Sequence, residues 1–224
     1  MHTLRNALMV IVTSTLSIAS GLAAAQAPAA SAPTAAPTAA PTAAPAAAPC
    51  PTPAESQRVA EVYAKAPVAA PFANAGKLKL AEVVVAGALP AGMGVGVSGS
   101  AFRTVWDSLA TWNSAVVLIM KGGNVFEISS QIAKGEPSTR SAYFNLGKAN
   151  LSGHLRPDLI TAIHAVKLPQ KDSSMRGVLF FDETGSSVFG VFVPGEGAEP
   201  AAAQLAQFDR TWKLMESMPR RCAR

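Results

Sequence analysis

The chain is short of the residues that build reactive centres. Its 224 residues include 2 cysteines and 3 histidines, 6% are aromatic and 15% are charged. His2 sits at the very start, which leaves His154 and His164 for the rest. That is too few imidazoles and thiols for a clustered metal site. His-Glu-x-x-His, Cys-x-x-Cys and Gly-x-Ser-x-Gly are all absent, and residues 94–98 read Gly-Val-Gly-Val-Ser instead of a nucleophile elbow. The acidic pairs Asp182/Glu183 and Glu196/Glu199 fall in expected turns, where solvated charge is ordinary. No acid, base and nucleophile come together, so the sequence predicts a protein that is not an enzyme. The 19 basic and 14 acidic side chains are scattered, with no basic tract interleaved with aromatics, which argues against a nucleic-acid partner. Beyond the first residues no apolar run approaches the roughly 20 residues of a membrane-spanning helix.

What is present divides the chain. Of all the charged residues only Arg5 precedes position 54, so residues 54–224 carry a net +4 and read as one ordinary globular domain. Residues 1–25 read as a secretory signal peptide: Arg5, an apolar stretch from Ala7 to Ile18, then small residues ending at Ala25. An uncleaved anchor is the other reading. Residues 26–53 form a tether with prolines at 33, 37, 41, 45 and 49, a spacing no helix survives. These segments predict a periplasmic or secreted protein. In that setting Cys50 and Cys222 are expected to pair within the chain. Two separate thiols, or a bridge between two chains, are the alternatives.

Within the domain, helices are predicted over 54–66, 78–88 and 100–112, and a last one over 201–218. The third carries Phe102, Val105, Trp106 and Leu109 at i, i+3, i+4 and i+7, a core-facing stripe. Strands are predicted over 115–120 and 125–128 around Lys121-Gly122-Gly123-Asn124, then over 142–146 and 162–168. A further hairpin joins 178–182 to 187–193. Residues 156–161 open like a helix, with Pro157 in the first turn. The glycine-rich stretch 90–99 reads as a flexible connection and the basic tail 220–224 as frayed. Strands joined by hairpins imply an antiparallel sheet and an α+β fold.

Several of these segments carry a resemblance. The run Phe102-Arg-Thr-Val-Trp-Asp-Ser-Leu-Ala-Thr-Trp112 is followed by Tyr143-Phe-Asn-Leu146 and Leu151-Ser-Gly-His-Leu155. Then come Val178-Leu-Phe-Phe-Asp182, Gly185 and Val188-Phe-Gly-Val-Phe192. In this order, over about residues 78–216, they resemble the ChuX/HutX heme-utilization carriers. The resemblance implies a heme or related tetrapyrrole as ligand, a homodimer, and His154 as an axial ligand of heme iron. Neutral imidazole is an ordinary ligand of that iron. The family's second histidine falls on Met120, whose thioether can also ligate heme, although a methionine ending an apolar strand commonly packs in a core. The family's histidine-bearing stretch before Tyr143 is here Ser138-Thr-Arg-Ser141. Tyr143 is a further candidate ligand. His164 matches no family ligand and reads as a hydrogen-bonded strand residue. Lys148, Arg156 and Arg140 are candidates to pair with propionates. With the signal peptide, the expectation is an exported carrier that transports or stores heme. The competing reading is an envelope interaction or structural domain that has lost heme.

Overall fold

The structure is a computed structural model, described here over residues 47–65, 67–147, 151–195 and 200–222. The expected signal peptide and most of the tether therefore lie outside the described residues, as do Lys148, Glu196 and Glu199. Three helices come first: α1 (Pro53–Tyr63), α2 (Pro71–Leu78) and α3 (Glu82–Gly87). Thr52 caps α1 through a reciprocal pair in which its hydroxyl accepts from the Glu55 amide and Glu55 accepts from the Thr52 amide at 2.7 Å. The helix expected over 78–88 is the shorter α3, and α2, which precedes it, was not expected. Lys79 takes a left-handed conformation and ends α2 by donating to the carbonyls of Ala75 and Gly76.

Strand β1 (Gly94–Ser98) and a 3₁₀ turn (Gly99–Ala101) lead into α4 (Phe102–Leu109), then β2 (Ala115–Lys121), β3 (Asn124–Ser130), β4 (Glu136–Pro137), β5 (Phe144–Leu146) and β6 (Gly153–Leu155). A 3₁₀ turn (Pro157–Leu159) replaces the helix expected there. The chain finishes with β7 (Ala162–Pro169), β8 (Ser174–Phe181), β9 (Ser187–Phe192) and α5 (Ala202–Glu216). A six-stranded antiparallel sheet runs in the order β1-β7-β8-β9-β2-β3, and a separate three-stranded sheet runs β4-β5-β6. The α+β class expected from the hairpins is the class observed. Gly122 and Gly123 both have positive φ, 57° and 83°, as a two-residue hairpin turn between Lys121 and Asn124 requires.

The large sheet is covered on both faces over β7 to β9, while β3 is largely exposed. On one face Val59, Tyr63, Val83 and Val85 from α1 and α3 pack against Val166, Leu168, Leu179 and Phe181. On the other, α4, α5 and the small sheet pack Trp106, Leu109, Phe208, Met215 and Phe144 against Val178, Phe180 and Phe189. Thr211, fully buried in α5, receives the Trp112 indole N–H at 3.0 Å and is 2.7 Å from the Ser108 hydroxyl, which ties α5 to α4.

Two expectations are corrected at the β1 edge. The glycine-rich stretch is a strand, because its glycines admit close neighbours that no side chain would. A methyl group built on Gly96 would lie 2.8 Å from His164 Nδ1 and closer still to Cε1. Residues 220–222 of the tail are also not frayed. Arg220 bridges to Val97, and the Arg221 amide donates to the Gly96 carbonyl at 3.1 Å. The Arg221 guanidinium donates to the carbonyls of Ala48 and Pro49. Cys50 and Cys222 are joined as a disulfide with Cα atoms 5.8 Å apart.

Two outcomes follow. Gly96→Ala should destabilise the fold by about 1–3 kcal/mol, because the His164 ring is 2% exposed and has nowhere to move. In a His164→Ala background that cost should shrink, which a urea-unfolding double-mutant cycle reads directly. Reducing the Cys50–Cys222 bond releases a loop of 172 residues' separation and should lower stability by up to about 4–5 kcal/mol in the chain-entropy account, measured as a shift of the urea midpoint with and without reductant.

Candidate functional site

The small sheet is positioned by aromatic packing. Phe144 of β5 meets Phe102 at 5.5 Å and Trp106 at 6.1 Å, both edge-on. The Trp106 indole N–H donates to the Ala133 carbonyl at 3.0 Å and so fixes the segment that leads from β3 into β4. Phe144, Leu146 and Leu155 turn towards this core. Strand alternation then puts Tyr143, Asn145 and His154 on the opposite, outer face.

Asn145 and His154 are direct cross-strand partners. Their side chains meet, with Nδ1 of His154 2.8 Å from Oδ1 of Asn145. An amide oxygen only accepts, so this contact is a hydrogen bond in the tautomer whose Nδ1 carries the proton, the one that leaves Nε2 with its lone pair. The Tyr143 ring stands edge-on to the imidazole at 5.8 Å, and the Arg156 guanidinium lies 5.7 Å from the centre of the Tyr143 ring. Arg156 is forked onto Asp158 through Nε and Nη2 at 2.8 and 2.6 Å. That hydrogen-bonded pairing lowers the Asp158 pKa and raises that of Arg156, so both stay charged. A hollow of about 470 Å³ adjoins Tyr143, walled by Phe102, Phe144, Pro137 and Pro157, with Arg103 at its rim. Arg103 is itself paired with Asp107 at 3.0 Å and lies over the Phe144 ring.

Of the residues the sequence singled out, His154 and Tyr143 are brought together, with Arg156 beside them. Met120 is not. It packs on the face covered by α1–α3 and lines a hollow of about 660 Å³ with Phe72, Val125 and Val188. A larger cleft of about 710 Å³ on that same face, floored by Leu118, Met175 and Phe192, contains neither histidine. His154 and Met120 therefore lie on opposite sides of the large sheet. His164 is buried in β7, opposite Gly96 and Leu179 and edge-on to Phe181 at 5.5 Å, away from His154. Arg140 is exposed in the turn before β5. Asn145 was not singled out from the sequence. Its signal was there: it is the polar residue between the two apolar residues of a strand ending Phe-Asn-Leu. Among the described residues no three His, Cys, Asp or Glu side chains are grouped to hold a metal ion, and no helix is long and apolar enough to cross a membrane.

Comparison with known proteins gives a consistent result. The family model described as haem utilisation ChuX/HutX matches residues 95–211. The intracellular heme transport protein HutX of Vibrio cholerae is 29% identical over 155 residues, which span 68% of this chain and 79% of that protein. The crystal structure of ChuX superposes with a TM-score of 0.62 at 23% identity, covering 71% of this chain and 99% of that one. Holo-PhuS, a heme-binding protein from Pseudomonas aeruginosa, superposes with a TM-score of 0.59 at 16% identity, covering 80% of this chain and half of that one. The last two show the shared fold. The HutX relative is described as intracellular, which overturns the expected periplasmic or secreted location. That expectation rested on the apolar, small-residue composition of residues 1–25, a segment outside both the matched family region and the described residues.

Proposed function

Because the chain belongs to the haem utilisation ChuX/HutX family, we propose that it binds heme and carries it between other proteins, with His154 as the iron ligand. One observation carries the ligand assignment: an exposed imidazole whose Nδ1 is held by Asn145, which leaves Nε2 as the donor. The hollow beside Tyr143 is not lined by His154; Tyr143 is the residue the two share, and its ring is the apolar surface next to the imidazole for a flat macrocycle. The protein's role is binding and delivery, in keeping with the HutX relative being named a transport protein. Met120 cannot join His154 on one iron within a single protomer, since the sheet separates them. Tyr143 packs against the imidazole and serves as a wall of the site.

The chain is further proposed to pair with a second copy of itself. Strand β3 is the open edge of the large sheet, and its neighbourhood exposes Phe126 (61%), Val125 (45%) and Ile119 (39%). An apolar open edge is a template for pairing unless covered.

Hemin titrated into the full chain should give a saturable Soret shift. His154→Ala should weaken binding by at least about tenfold, the loss typical of a missing metal-site contact, while Met120→Ala should not. A wild-type chain that leaves the Soret band unmoved would instead favour an interaction domain that has lost heme. For pairing, light scattering should give twice the chain mass, and Phe126→Lys should reduce it to one. A single-chain mass for the wild type refutes the dimer.

A further inference from the structure

Resting on the assignment of His154 above, we infer that Asn145 is a positioning residue that makes the site selective for metal-bearing tetrapyrroles such as heme over metal-free ones. In water a neutral histidine side chain prefers to carry its proton on Nε2, the nitrogen that must be bare to ligate. The 2.8 Å contact with Asn145 Oδ1 reverses that preference, because only an Nδ1–H can donate to it. The selection is structural. Asn145 and His154 are register partners on adjacent strands, and the inward residues of the same strands, Phe144 and Leu155, are locked against the aromatic core. The two side chains thus keep their spacing without relying on a flexible loop. The Tyr143 ring edge at 5.8 Å stands beside the imidazole as a third wall.

The identity of the acceptor matters as much as its position. A carboxylate at position 145 would draw the proton of Nδ1 strongly and give the imidazole imidazolate character. That would hold ferric iron tightly and lower its reduction potential. A neutral amide fixes the tautomer and leaves a moderate donor, which suits a protein that must also release its ligand. Selectivity for a metallated macrocycle follows, because a macrocycle without metal gains nothing from a bare Nε2. Asn145 should therefore matter for hemin and not for metal-free protoporphyrin.

The test uses the full chain as wild type, Asn145→Ala, Asn145→Asp and His154→Ala, each checked for an unchanged circular dichroism spectrum. Hemin affinity is read from the Soret band, protoporphyrin IX affinity from its fluorescence, and the midpoint potential by spectroelectrochemistry. Asn145→Ala should weaken hemin by about 10–100-fold, the usual loss when an outer partner of a ligating histidine is removed, and leave protoporphyrin IX unchanged. Asn145→Asp should bind hemin at least as tightly as wild type, with a lower midpoint potential. If Asn145→Ala binds hemin like wild type while His154→Ala does not, the role of Asn145 is refuted and the ligand assignment stands. If His154→Ala also binds like wild type, the ligand assignment itself falls. Equal loss of hemin and protoporphyrin IX in Asn145→Ala overturns the claim of selectivity for the metallated ligand.

Discussion

The packing of Phe144 between Phe102 and Trp106 is the contact on which the functional face depends. Three short strands with two or three paired residues each cannot hold a sheet by themselves. They are ordered because one of their side chains enters the aromatic cluster over the large sheet, where Phe180 and Phe189 stack at 4.3 Å and Trp106 stands edge-on to both. Trp106 acts twice in this arrangement. Its ring fills the core and its N–H holds the Ala133 carbonyl, so the approach to the small sheet is fixed at both ends. Replacing this tryptophan by another large apolar residue would keep volume and lose the second function.

The far side of the molecule is organised by a different constraint, closure of the β1 edge. That edge would expose unpaired backbone groups. Arg220 and Arg221 cover part of it as an added strand segment, and the disulfide and the Arg221 guanidinium join this cover to residues 48–50. Burial pushes the pKa of Arg221 down, although a guanidinium remains charged at any ordinary pH. The glycines of β1 belong to the same solution. They let the strand lie directly over the His164 ring and against Leu89, where side chains would hold it off.

These two constraints explain what the sequence revealed. The stripe on α4 and the hairpins at Gly122-Gly123 and Gly185 were legible, since periodicity and turn chemistry are local. Strand β1 was not, because glycine in a strand reflects a neighbour brought in from about seventy positions away. In the small sheet β5 was legible as the strand expected over 142–146, whereas β4 and β6 were hidden, since such short strands owe their order to packing on the aromatic core and not to β-propensity. Of the site, His154 and Tyr143 were legible through the resemblance to a family, whereas Asn145 needed the register between β5 and β6. Met120 shows the limit of position-by-position transfer. Its place at the end of an apolar strand was right, and the face on which its side chain packs could be known only once the sheet was built.

The separation of His154 from Met120 also bears on how tightly such a site should hold its ligand. Two strong protein ligands on one iron give slow release, which suits electron transfer and opposes delivery. An exposed histidine on the outer face of a small sheet is reached without opening the core, so association and exchange need no unfolding of the domain. Affinity must then come from burying the macrocycle against a modest apolar surface, plus one bond from nitrogen to iron. The outer face of β5 and β6 has that balance. Its backbone is anchored because Phe144 is in the core, its proposed ligand is set by a neutral partner, and the neighbouring cation Arg156 is already matched by Asp158. In the proposed role a carrier gains from this restraint, since each further strong contact to heme would slow its transfer.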